Sequence, residues 1–211
     1  MSPEDLREVM KLASERGIWV ISDECYAYLN YAGERFSVGS LREYRERMVI
    51  VGSLSKTYAM TGWRLGYVLA PVQLISAMQK LQSQSTSNPT SIVQKEAVAA
   101  LNGPQQCVED MRQEYIKLRD HVVKGLRAIP GITSTMPDGA FYAYPNISAF
   151  FGRGGVNSPA ELAGKLLREA HVATVPGEGF GTREHIRISY ATSIHELDRG
   201  LERMHKFLSS L

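Results

Sequence analysis

Ser53-Leu54-Ser55-Lys56-Thr57-Tyr58-Ala59-Met60-Thr61-Gly62-Trp63-Arg64-Leu65-Gly66 stands between two short apolar runs. The run before it, Met48-Val49-Ile50-Val51, has the length and the lack of polar residues expected of a buried strand, and Gly52 closes it. The run after it, Leu65-Gly66-Tyr67-Val68-Leu69-Ala70, reads as a second strand and stops at Pro71. A lysine at a strand end between two strands is poorly placed for a solvated surface role. It is well placed for covalent chemistry, because a desolvated amine loses its proton and attacks an aldehyde. Ser53, Ser55 and Arg64 add hydroxyls and a forked cation, the donors that a phosphate takes. An isolated S-x-S-K reads as a surface loop with one of many lysines. The full string S-x-S-K-x-x-x-M-T-G-W-R-x-G is far more specific.

Upstream, Ser2-Pro3-Glu4-Asp5 opens a helix, with Ser2 as N-cap, Pro3 at the first helical position and Asp5 where a capping-box acid stands. Leu6, Val9, Met10 and Ala13 follow at helical spacing, and Gly17 supplies the stop. Ile18-Trp19-Val20-Ile21 then reads as a wholly apolar strand of the parallel-sheet kind. A helix leading at once into such a strand is half of a βαβ unit, so the chain is expected to begin as though in the middle of a domain. Asp23 falls at the carboxyl end of this strand, where open α/β sheets bind ligands. A carboxylate there can pair with a protonated pyridine nitrogen, and Tyr26, three residues on, can donate to a phenolate oxygen. An Asp after a strand is by itself more often a turn or cap residue. Asp-x-x-Tyr followed some thirty residues later by Ser-x-Ser-Lys is a stronger signal. With the phosphate donors, these are the parts of a site for pyridoxal phosphate. Tyr28, Tyr31 and Phe36 read as packing or dimer-contact residues, and residues 41–47 as a charged, solvated connector.

Downstream of Pro71, residues 72–84 carry a helical pattern, and residues 83–90 form a polar loop with Pro89. A helix resumes over 92–101 and breaks at Asn102-Gly103-Pro104. A long helix is predicted from 105 to about 129, with Arg112, Lys117, Arg119 and Lys124 on its solvated side. Residues 132–135 and 140–144 read as two strands about the turn Pro137-Asp138-Gly139. Residues 158–170 read as a capped helix, 172–175 as a strand, and Pro176-Gly177-Glu178-Gly179-Phe180-Gly181 as a turn. In His185-Ile186-Arg187-Ile188-Ser189-Tyr190-Ala191 the apolar residues alternate with Arg187 and Ser189, so Arg187 leaves the apolar face. That placement suits either a wet sheet face or a bidentate clamp on a carboxylate. A final helix starts near 194.

Composition excludes several classes. With 24 basic and 22 acidic residues in 211, net charge gives no reason to expect a nucleic-acid or membrane partner. Cys25 and Cys107 are too few for a disulfide framework, and Cys25, among apolar and aromatic neighbours, reads as a small buried hydrophobe. No secretory signal and no run of about 20 apolar residues is evident, so a cytoplasmic protein is expected. The five histidines are scattered without ligand spacing, so no metal site is expected.

The string around Lys56 resembles the cofactor-lysine segment of the fold-type I (class I/II) aminotransferases, which depend on pyridoxal 5'-phosphate (PLP), and the loop Gln84-Ser85-Thr86-Ser87 is most similar to that of bacterial aspartate aminotransferases. D-E-x-Y at Asp23, P-x-G-A-F-Y at Pro137, P-G-x-x-F-G at Pro176 and R-I-S-Y-A at Arg187 match further segments of the family, and only its C-terminal portion is covered. The resemblance implies an α/β protein, the C-terminal part of the PLP-dependent transferase fold: an incomplete, mostly parallel large-domain sheet with helices, then a small α+β domain. Residues 1–112 would be a remnant of the large PLP-binding domain and residues 113–211 the small domain. It implies a catalytic Schiff-base Lys56, cofactor contacts from Asp23, Tyr26, Ser53, Ser55, Lys56 and Arg64, and substrate carboxylate binding by Arg187. The implied reaction is ping-pong amino transfer between an L-amino acid, aspartate or glutamate in the first place, and a 2-oxo acid, in a homodimer without nucleic-acid or membrane partners. Another enzyme of the same fold, such as a carbon–sulfur β-lyase, and a non-catalytic PLP-fold module remain the alternatives.

Overall fold

The computed structural model describes residues 1–211, which divide into two compact units, Met1–Arg112 and Gln113–Leu211.

In the first unit, helix α1 (Pro3–Glu15) starts with the reciprocal bonds its sequence calls for. The Asp5 N–H donates to Ser2 Oγ at 3.1 Å, and the Ser2 N–H donates to the Asp5 carboxylate at 2.9 Å. The Ser2 N–H first, and then the Ser2 hydroxyl, hold the Asp5 carboxyl below its ordinary value. Gly17 takes the left-handed conformation after the helix, at φ 65°. Strand β1 (Val20–Asp23) begins two residues later than the apolar run, because the Ile18 N–H is spent closing the helix end on the Ala13 carbonyl. Strand β2 (Met48–Ser53) runs directly into the single helical turn α2 (Leu54–Thr57), and strand β3 (Gly66–Leu69) follows.

The sheet order is β1-β2-β3; β1 and β2 are parallel, in register Asp23 to Val51, and β2 and β3 are antiparallel, in register Ser53 to Gly66. Met10 and Ala13 of α1 are buried, and Met10 joins Val38, Leu41, Met48 and Ile50 in one core cluster. Ile21 and Leu69, by contrast, are 71% and 57% exposed. Helix α3 (Val72–Ser85) has no fully buried residue, and helix α4 (Ser91–Asn102) has only Ala97. Cys25 is half-buried rather than buried.

Helix α5 (Gln106–Arg127) begins in the first unit and continues into the second. There, Val122, Val123 and Leu126 are buried, and Gly125 lets Leu201 approach so closely that an added Cβ would stand 2.5 Å from its methyl. A short strand β4 (Tyr142–Ala143), helix α6 (Pro159–Lys165), strand β5 (Val175–Pro176), strand β6 (Ile186–Ser189) and helix α7 (Ile194–Ser209) complete the unit. The sheet is antiparallel, in order β4-β6-β5, with β6 central.

Several expectations need correction here. The strand predicted over 140–144 keeps only Tyr142–Ala143, with Ala140 left-handed at φ 58°. Residues 132–135 are not a strand. Thr133 makes one isolated bridge with Asn146, and the Ser134 carbonyl is taken instead by the Arg127 guanidinium, at 2.9 Å from Nε and 2.7 Å from Nη2. The helix predicted over 158–170 is α-helical only to Lys165 and widens into a π-turn over Leu166–Ala170. The strand predicted over 172–175 is reduced to Val175–Pro176, because His171 turns left-handed at φ 54° and the Val172 N–H is spent on the Leu166 carbonyl. No helix is long and apolar enough to cross a membrane.

Candidate active site

The parallel pairing of β1 with β2 brings their carboxyl ends side by side. Asp23 is the last residue of β1, opposite Val51, and the next amide, Glu24 N–H, donates to the Val51 carbonyl at 2.8 Å. Two residues past Val51, Ser53 ends β2 and caps α2, its hydroxyl accepting from the Ser55 N–H at 3.1 Å. Lys56 sits in that turn, half-buried. The chain then returns: the Leu54 N–H donates to the Leu65 carbonyl at 3.3 Å, and Gly66 pairs with Ser53. Asp23, Ser53, Ser55, Lys56 and Arg64 therefore gather on one end of the sheet. Arg187 belongs to the second unit, on β6.

The loop between α2 and β3 holds Ala59 and Arg64 at φ 54° and 56°, a conformation that L-residues take at a cost of about 1–2 kcal/mol each. Two such residues bracket Met60-Thr61-Gly62-Trp63, and Arg64 Nη1 returns a bond to the Thr61 carbonyl at 2.8 Å. Left-handed non-glycine residues persist only where their surroundings over-determine them, which happens at binding sites more often than elsewhere. Gly66 has no room for a side chain, since an added Cβ would stand 2.8 Å from the Gly52 carbonyl oxygen.

Asp23 accepts the Cys25 N–H at 3.0 Å, which sets the turn out of β1. Tyr26 is half-buried, and its carbonyl accepts the Leu29 N–H at 2.9 Å. Sequence reasoning passed over Glu24. Its Oε1 accepts from Ser37 Oγ at 2.9 Å, the Val38 N–H at 3.2 Å and Ser22 Oγ at 3.3 Å. One half-buried carboxylate oxygen thus fixes the segment that carries both Asp23 and Tyr26. The only local signal was an acid directly after a strand-end aspartate, because two of its donors lie thirteen and fourteen residues away.

A cleft of about 1720 Å³ also opens in this unit, lined among others by Glu24, Tyr28, Tyr58, Tyr67 and Arg112, but not by Asp23, Ser53, Lys56 or Arg64. Burial first, and then the neighbouring Tyr28, push the Tyr58 and Tyr67 phenols above their ordinary value of 10.0. That cleft has no aldehyde-reactive amine, so the strand-end cluster is the better candidate for chemistry.

The donor set of that cluster fits a pyridoxal phosphate. It has a primary amine for an aldehyde, a carboxylate for a ring nitrogen, and two hydroxyls with a guanidinium for a phosphate dianion.

Comparison with known proteins shows the family. The family model "Aminotransferase class I and II" matches residues 1–204. The aspartate aminotransferase of Geobacillus stearothermophilus is 42% identical over 209 residues, which are 98% of this chain and 53% of that protein. The Bacillus subtilis (strain 168) aspartate aminotransferase is 40% identical over 207 residues, 97% of this chain and 53% of its own length. Among solved structures, the aspartate aminotransferase of Rhizobium meliloti superposes with a TM-score of 0.93 at 39% identity, over 99% of this chain and 54% of that one. An aromatic aminotransferase from Pyrococcus horikoshii OT3 gives 0.92 at 37% identity, over 100% and 56%. The chain spans about half the length of the curated relatives it matches. A match running from the first helix into the last, on a fold that gathers an amine, a carboxylate, two hydroxyls and a guanidinium at one sheet end, places the chain in the class I and II aminotransferase family.

Proposed function

We propose that this chain carries the lysine-bearing part of a PLP-dependent aminotransferase that moves an amino group between an L-amino acid, aspartate or glutamate in the first place, and a 2-oxo acid. The observation that carries the reading is Lys56 in the turn after β2, the strand whose parallel partner β1 ends at Asp23. Support for the substrate class comes from relatives named aspartate aminotransferases. In this reading residues 1–112 are a remnant of the large PLP-binding domain and residues 113–211 are the small domain. The working assembly is a cytoplasmic homodimer.

Bound PLP would supply an aldehyde carbon and an electron-withdrawing ring. The chain's own residues divide the remaining work. The Lys56 amine would hold the aldehyde carbon, and its nitrogen would take and return the α-proton of the amino acid. The Asp23 carboxylate keeps a proton on the ring nitrogen by favouring the charged form. Tyr26 donates to the phenolate oxygen. Ser53, Ser55 and Arg64 hold the phosphate, and Arg187 orients the substrate carboxylate through its paired N–H donors.

The test is the visible absorption spectrum of the 211-residue chain with PLP, before and after aspartate, then borohydride reduction and peptide mapping. The expected result is a band that shifts on adding aspartate and a reduced adduct on Lys56, absent from Lys56→Ala. A chain shown to be folded that forms no specific adduct overturns the reading for this chain.

A further inference from the structure

Arg187 lies on the central strand of the second sheet, and its surroundings are unusual for an arginine on a wet sheet face. Its guanidinium carbon stands 4.4 Å from the centre of the Tyr142 ring and 4.7 Å from that of Phe180. The register explains the first contact. Tyr142 faces Ser189, two residues from Arg187, so the two side chains are diagonal neighbours on one face of the sheet. The second contact comes from the other edge. Val175 of β5 pairs with Arg187, and the turn after β5 delivers Phe180 back over it.

Phe180 is 48% exposed, so core packing does not account for it. It is nonetheless held in place. The Tyr144 ring meets it edge-on at 6.0 Å and 87°, Tyr144 is stacked on His185 at 4.9 Å, and the Tyr144 hydroxyl is 2.6 Å from Thr182 Oγ1. A ring attracts a guanidinium through its face and consumes none of the five N–H donors. Neither a hydrogen bond nor an ion pair within the unit spends those donors, so two rings immobilise the cation while leaving its fork available.

We infer that Tyr142 and Phe180 are positioning residues that pre-orient the Arg187 guanidinium for a ligand carboxylate. The inference rests on the reading of Arg187 as the carboxylate clamp and extends it. A free arginine would lose rotamer freedom on binding, whereas one already stacked between ring contacts has lost it beforehand.

Two measurements on the 211-residue chain test this. The first is the NMR resonance of the Arg187 Nε–H, assigned by its loss in Arg187→Lys. Ring currents are expected to displace it from the position of a solvated arginine, and Phe180→Leu is expected to return it part of the way. The second is a succinate titration, with thermal unfolding recorded for each variant. Phe180→Leu and Tyr142→Leu are each expected to weaken succinate about tenfold, Phe180→Trp to restore it, and Arg187→Leu to abolish it. An undisplaced Nε–H in the unmodified chain refutes the positioning role whatever the titration gives. Arg187→Leu losing succinate while Phe180→Leu keeps it, at equal thermal stability, also refutes that role and leaves the carboxylate reading standing. Succinate binding that survives Arg187→Leu, or is absent from the unmodified chain, overturns the carboxylate reading, and with it the purpose assigned to the rings.

Discussion

Replacing Glu24 by alanine removes an acceptor that three donors share. Bonds to a charged acceptor contribute about 1.5–3 kcal/mol each when measured singly, but they do not add. The Ser22 and Ser37 hydroxyls can turn to water after the substitution. The Val38 amide cannot easily do so, because Val38 is 2% exposed and its N–H points at Glu24 from 3.2 Å. A net loss of about 2–3 kcal/mol follows, dominated by the stranded amide and one charge-assisted bond. Glu24→Gln keeps an acceptor oxygen and is expected to lose about 1 kcal/mol. Both tryptophans, Trp19 and Trp63, lie in the first unit, so their fluorescence in urea reports that unit alone. At a slope of about 1.5 kcal/mol per molar, the midpoint for Glu24→Ala should fall by about 1.3–2 M. Hydrogen exchange of the Val38 amide should quicken about 30-fold or more, since 1.4 kcal/mol is a factor of ten. A double-mutant cycle with Ser37→Ala should return a coupling near 1 kcal/mol. A Glu24→Ala chain within about 0.5 kcal/mol of the original, with unchanged Val38 exchange, refutes the reasoning: Glu24 would then not hold the turn.

Ala140 sits at φ 58°, so Ala140→Gly should raise the stability of the second unit by about 0.5–1 kcal/mol, read from the thermal midpoint. In Gly177→Ala the added Cβ would meet the His185 carbonyl oxygen at 2.4 Å, where Gly177 N–H also bonds at 2.9 Å. Prying β5 from β6 there should cost about 2–3 kcal/mol in urea unfolding. Tyr58, Tyr67 and Tyr115 all have phenols raised by burial above 10.0, so the folded chain keeps protons that the unfolded chain releases. Their contribution to stability is intact below pH 10 and is lost as pH rises through the raised values; the urea midpoint should therefore drop on the alkaline side, and less steeply in Tyr67→Phe.

Much of the first unit could be read locally. The capping box at Ser2 and Asp5 and the stop at Gly17 are interactions between near neighbours, so composition and spacing suffice to foresee them. The strand over 48–51 could be read from its apolar run, although it continues through Gly52 to Ser53, and the motif around Lys56 could be read from its length and specificity. Boundaries failed where a backbone group was claimed from a distance: Arg127 takes the Ser134 carbonyl that a strand needed, and Leu166 takes the Val172 amide.

What the sequence alone determined is the set of reactive groups and the elements that carry them, because helix periodicity, caps and strand alternation act over a few residues. What only the tertiary structure decided is which groups meet. The parallel register of β1 with β2 puts Asp23 at the sheet end that carries the lysine turn. Glu24 finds its donors across a loop. Arg187 acquires one ring from each side of its strand. Such meetings depend on register and loop closure, which join residues far apart in the chain, and no local pattern encodes them.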